Sequence, residues 1–200
     1  MSDAHDALRD DPVIGPLIDE YGEIELEPAD DVFERLVTSI VNQVISTEAA
    51  RTVRGRLFDA VTITPEGIIA ADREELRAAG LSPQKVDTMR NVARWFDEEN
   101  VTRERFEGRG DADVTAELTE ISGIGDWTAK MFLMFALGRE DVFPIGDLAA
   151  RRAVEDLIGD LTRAEMETRA EAWAPHRSVA TLYLWQYYVD ENSNVEDIVA

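Results

Sequence analysis

Two hundred residues, 44% of them hydrophobic, are enough to bury a core and to make either one domain or two small lobes. The chain has no cysteine, which excludes disulfides, thiolate zinc sites and iron–sulfur clusters. Twenty Lys and Arg stand against 42 Asp and Glu, a formal charge of -22. The acids are dispersed along the chain, and only Lys85 and Lys130 are lysines, as in proteins of organisms with a high-salt cytosol. That charge argues against a nucleic-acid partner, because a typical DNA-binding domain is basic. Motifs have to outweigh it.

The first residues, MSDAHDALRDD, are acidic where a secretory or organellar leader is basic, and no apolar run reaches the length of a membrane span. The expectation is a soluble intracellular protein with no membrane partner. Strand patterns are at best brief, at 23–27 and 61–63. From Asp31, apolar Phe33, Leu36, Val37, Ile40 and Val41 follow the three-and-four spacing of one helical face. Thr64-Pro65 and Ser82-Pro83 each set an N-cap before a proline at the first helical position. Gly80 and Gly138 sit where helices end. There is no repeat, low-complexity segment or long linker. The fold class read from this pattern is all-α, built of many short helices.

The most informative stretch runs from Leu118 to Val154. A short helix, about 114–121, leads into Ser122-Gly123-Ile124-Gly125, and a second helix starts near Asp126. The glycines permit a sharp turn and close approach of another molecule. The free N–H groups opening the second helix make an anion site that needs no lysine or arginine. Read alone, Gly-Ile-Gly is equally a plain helix–helix turn. Asp147, after a Pro–Gly turn and before Leu148-Ala149-Ala150, reads alone as a helix N-cap. Trp185 reads equally as core packing with Tyr183, Leu184, Tyr187 and Tyr188, and Val44 as part of an apolar helix face.

Taken together, Gly123-Ile124-Gly125-Asp126-Trp127-Thr128-Ala129 and Asp141-Val142-Phe143-Pro144-Ile145-Gly146-Asp147 resemble the signature of the helix–hairpin–helix DNA glycosylases. The similarity is greatest to the type II 3-methyladenine branch. Residues 39–50 resemble that family's early helix and loop, and Trp173 to Trp185 its C-terminal helix, so the resemblance covers about 31–190. It implies two helical lobes with the active cleft between them: 1–32 with 150–200 as a terminal lobe, and 33–149 as a central lobe carrying the hairpin (about 114–138). It also implies damaged double-stranded DNA as partner, and the chain is expected to be a monomer.

On this resemblance Asp147 is the catalytic carboxylate, beneath a deoxyribose that turns cationic as the N-glycosidic bond breaks. Trp127 and Trp185 wall the pocket for a flipped alkylated purine, with cation–π attraction of about 0.5–2 kcal/mol. Val44, with Gln43, fills the gap left by the base. Gly123, Ile124, Gly125, Thr128, Lys130 and Lys85 meet the DNA backbone. Main-chain carbonyls of Thr119, Ile121 and Ile124 hold a structural Na+ or K+, and no cofactor is required. Bifunctional relatives carry a lysine where this chain has Trp127, so a monofunctional hydrolase is expected. A glycosylase/lyase for other damaged bases, a non-catalytic DNA-binding module and a helical scaffold stand as alternatives. His5 and His176 are isolated and form no metal cluster.

Overall fold

The computed structural model describes residues 3–43 and 45–192, and among them there is helix and turn but no strand. Twelve α-helices follow in order: α1 (Asp3–Leu8), α2 (Ile14–Tyr21), α3 (Val32–Asn42), α4 (Thr47–Ala60), α5 (Pro65–Ala70), α6 (Arg73–Ala78), α7 (Pro83–Glu98), α8 (Asp111–Thr119), α9 (Asp126–Phe135), α10 (Leu148–Ile158), α11 (Arg163–Ala170) and α12 (Arg177–Asn192). Among the described residues no helix is long and apolar enough to cross a membrane. The chain divides into a central unit, Pro28–Leu137, and a terminal unit formed by Met1–Glu27 with Gly138–Ala200.

The central unit is built around α3. Asp31 starts it, its carboxylate accepting from the Phe33 and Glu34 N–H groups at 2.8 and 2.9 Å, a cap that contributes about 1 kcal/mol. The apolar stripe read from the sequence is buried in full: Phe33, Leu36, Val37, Ile40 and Val41 all lie in the core. At about 1.5–3 kcal/mol per side chain, that burial far exceeds the cap. Helices α4, α7 and α9 pack on α3, and the rings of Phe33 and Phe96 meet edge to face at 5.1 Å. Thr64 and Ser82 cap α5 and α7, with proline in the first turn of each. Gly80 and Gly138 follow α6 and α9 with φ of 109° and 67°, which an L side chain rarely adopts.

In the terminal unit, α10 and α12 pack together and α2 lies on α12. The core gathers Ile14, Leu17, Ile18, Phe143, Val154, Met166, Trp173, Tyr183 and Leu184. Buried polar groups are tied across long sequence separations. The Tyr183 hydroxyl donates to the Gly22 carbonyl and accepts from the Ile24 N–H, both at 2.9 Å. Arg169 grips the Asp11 carboxylate at 2.8 and 3.0 Å.

The unit boundaries differ from 32/33 and 149/150. Ala29 belongs with the central unit because its N–H donates to the Phe135 carbonyl at 2.7 Å and its carbonyl accepts from Arg103. Phe143 belongs with the terminal unit because its ring packs on Trp173 at 5.8 Å. Asp147 is therefore carried by the terminal unit. The segment 23–27 is irregular; in it the Ile24 N–H donates to the Tyr183 hydroxyl and the Ile24 carbonyl lies 3.2 Å from His5 Nε2.

Candidate active site

In the terminal unit the approach to Asp147 is fixed from both sides. Arg177 at the start of α12 forks onto the Asp141 carboxylate at 2.6 and 2.9 Å, and this guanidinium holds the Asp141 carboxyl below the ordinary aspartate range. The neighbouring Ser178 hydroxyl donates to the Arg139 carbonyl at 2.6 Å and accepts from the Val142 N–H at 3.0 Å. Val142, Phe143 and Pro144 are buried. Beyond them Arg151 of α10 reaches back to the Ile145 and Gly146 carbonyls at 3.0 and 2.9 Å. Five residues leading into Asp147 thus have their backbone conformation set by packing or by a charged donor.

Asp147 is the N-cap of α10, where a carboxylate complements the helix dipole. Its Oδ1 accepts from the Ala150 N–H at 2.9 Å and from Trp185 Nε1, also at 2.9 Å. Two donors on one oxygen lock the rotation of the carboxylate. Asp147 is thus a helix N-cap whose carboxylate is held in one orientation. Trp185, only 7% exposed, is a core residue whose indole N–H is spent on the carboxylate. Beside them Leu148 is 56% exposed, a large apolar side chain with no core to join.

In the central unit, α8 and α9 flank the hairpin 120–125. Gly123 has φ of 99°, and a Cβ there would sit 1.9 Å from Thr88 Oγ1, so glycine is required sterically. Ile124 is an anchor: its side chain is buried and its N–H donates to the Ile121 carbonyl at 2.9 Å. Gly125 is the N-cap of α9 and has no side chain with which to satisfy the first-turn N–H groups. Trp127, half-buried, stands in that first turn.

Other residues assigned to DNA contact have partners within the protein. Thr128 is 2% exposed and its hydroxyl accepts from Gln43 Nε2 at 2.8 Å. The Lys85 ammonium donates to the Val41 carbonyl at 2.7 Å, closing the C-terminus of α3, and burial lowers its pKa. Lys130 pairs with Asp126 one turn earlier at 3.2 Å. Gln43 ends α3 and faces the hairpin, while Val44 lies outside the described residues. Sequence reasoning passed over Thr88 and Asn91 of α7, Arg151 and Ser178. Thr88 carried a signal: a polar residue on the buried face of an amphipathic helix. Among the described residues no group of His, Asp or Glu is arranged to hold a metal.

A family model described as HhH-GPD superfamily base excision DNA repair protein matches residues 37–177. The chain is 32% identical to DNA-3-methyladenine glycosylase 1 of Schizosaccharomyces pombe over 163 residues, 77% of this chain and 71% of that one. Among solved structures it is similar to the fission yeast 3-methyladenine DNA glycosylase in complex with abasic DNA. That match has a TM-score of 0.84 and 28% identity over 92% of this chain and 96% of the other. A DNA-3-methyladenine glycosidase from Bacillus halodurans matches with a TM-score of 0.79 and 33% identity over 98% and 95%.

Proposed function

The chain belongs to the HhH-GPD superfamily of base excision DNA repair proteins, and we propose from its site that it is a monofunctional glycosylase releasing alkylated purines of the 3-methyladenine type from damaged duplex DNA. The observation that carries this is the Asp147 carboxylate, locked by Ala150 and Trp185, in a chain that also presents a glycine hairpin. As the N-glycosidic bond lengthens, positive charge grows on the sugar, and a fixed anion beneath it lowers that barrier. An alkylated purine leaves without prior protonation, so one carboxylate suffices, and it also orients the attacking water. The target nucleotide is extruded from the stack, and the electron-rich face of Trp127 suits a cationic base.

The hairpin supplies backbone donors for a DNA phosphate, which reconciles the function with a charge of -22. The gap-filling role falls to Val44. The Ile121 carbonyl accepts from Ile124 and keeps a second lone pair, so with Thr119 and Ile124 it suits a monovalent cation. The acidic, lysine-poor surface fits an intracellular place of high salt.

The test is a panel of duplexes, each with one lesion, scored for released base, together with Asp147→Asn. Asparagine keeps an acceptor at the cap, so stability should change by under about 1 kcal/mol, while single-turnover excision falls at least ~100-fold and affinity for an abasic analogue is kept. Near-normal excision by the variant removes Asp147 from the mechanism. Borohydride should trap no adduct; an adduct that vanishes in Lys130→Gln makes the enzyme a lyase.

A further inference from the structure

Two side-chain amides reach the hairpin from different helices and hold consecutive carbonyls. Asn91 of α7 donates through Nδ2 to the Ser122 carbonyl at 3.2 Å. Gln43, at the end of α3, donates through Nε2 to the Gly123 carbonyl at 3.3 Å and to Thr128 Oγ1 at 2.8 Å. Neither amide is free to flip. Arg94 Nη1, which can only donate, bonds Asn91 Oδ1 at 3.2 Å, leaving the NH₂ for Ser122. The Gly123 carbonyl, which can only accept, fixes the orientation of Gln43 in the same way.

In a trans peptide the C=O and the following N–H point in opposite directions. Holding the Ser122 carbonyl toward α7 therefore aims the Gly123 N–H away from it, and no acceptor among the described residues takes that N–H. Holding the Gly123 carbonyl does the same to the next peptide, whose N–H returns to Ile121. The turn is thus fixed in two adjacent planes, with the Gly123 N–H presented beside the uncapped start of α9. Thr88, against which Gly123 is pressed, supplies the floor.

We propose that Asn91 and Gln43 are positioning residues that hold the hairpin ready for a DNA phosphate. Gln43 then acts from within the protein and does not enter the duplex. The proposal rests on the glycosylase reading. Entering the duplex as a gap filler would cost Gln43 its bond to the hairpin and its bond to Thr128 of α9.

Asn91→Asp and Gln43→Glu keep shape but place a carboxylate oxygen against a carbonyl. Binding to a duplex with an abasic analogue is measured by anisotropy across a KCl series, with single-turnover excision at saturating protein and a thermal melt alongside. Each variant should bind about tenfold more weakly, the loss of one hydrogen bond to a charged group. Excision at saturation should stay within a few-fold of wild type. A purely structural role would move the melt and leave the affinity. Unchanged affinity in both variants, or a Gln43→Glu enzyme that binds with the wild-type affinity but has lost excision at saturation, overturns the proposal. Wild-type protein that binds no abasic duplex overturns both readings. Wild-type protein that binds but releases no base overturns the activity alone, and the affinities then decide the role of the two amides.

Discussion

Gly123→Ala and Gly125→Ala should separate the two demands made on one turn. At Gly123 the new Cβ would fall 1.9 Å from Thr88 Oγ1 and 2.7 Å from Thr88 Cβ and Cγ2, at φ of 99°. The backbone conformation alone costs an alanine about 1–2 kcal/mol, and the overpacking typically about 1–3 kcal/mol more. The sum, about 2–5 kcal/mol, is a large share of the ~5–15 kcal/mol that keeps a domain folded. At Gly125, φ is -103° and nothing lies within 4 Å of the new Cβ. Folding should then lose no more than about 1 kcal/mol, the N-cap penalty for alanine. That Cβ would instead stand where a phosphate approaches α9, and affinity for an abasic duplex should fall about tenfold. Urea unfolding at fixed KCl reads the first effect and anisotropy the second. Adding Thr88→Gly to Gly123→Ala removes the three nearest crowding atoms and should restore part of the stability, less about 1 kcal/mol for glycine inside α7. A Gly123→Ala protein within 1 kcal/mol of wild type, or a Gly125→Ala protein that unfolds, refutes the steric account.

Arg35 lies over the Phe135 ring at 4.3 Å, its Nε buried without a partner, and burial together with Arg54 lowers its pKa to about 10. Below pH 10 the folded state bears the whole cost of a desolvated cation. Above about 10, until the unfolded chain also loses the proton, the unfolded chain binds more protons, so this group's contribution to stability rises with pH. Arg35→Met should raise stability at pH 7 by about 1–2 kcal/mol; a loss of that size in a urea titration counts against it. Trp185→Phe removes one of the two donors to Asp147 and should slow excision about 10- to 100-fold, since a hydrogen bond to a charged group contributes about 1.5–3 kcal/mol; an unchanged rate would reduce Trp185 to packing. The melting temperature should climb through molar KCl as screening shortens from roughly 10 Å at 0.1 M to 3 Å at 1 M, with excision surviving; a protein most stable and most active near 0.1 M contradicts the high-salt reading.

Local signals carried far in this chain. Asp31, Thr64-Pro65 and Ser82-Pro83 start helices because a cap and its N–H partners lie within three residues of one another. The hairpin turn and the N-cap at Asp147 are legible for the same reason, while a part in chemistry comes from the resemblance alone. What the sequence does not announce depends on destinations far along the chain. Phe143 joins the terminal unit through Trp173, thirty residues later, and no periodicity announces that. The partners of Lys85 and Thr128 are of the same kind: one closes α3 and the other accepts from Gln43. Asn91 resembled any polar helix residue until Ser122 was placed beside it.

Arg177, Ser178 and Trp185 all lie on α12, and all reach back to the segment ending at Asp147. Synthesis runs the other way. Residues 28–137 are contiguous and can complete their own core while the ribosome is still extending the chain, whereas Gly22 and Ile24 must wait for the Tyr183 hydroxyl. At about 5–20 residues per second, Asp147 emerges seconds before the side chains that orient it. A nascent or prematurely terminated chain therefore contains the Asp147 carboxylate without the α12 side chain that orients it.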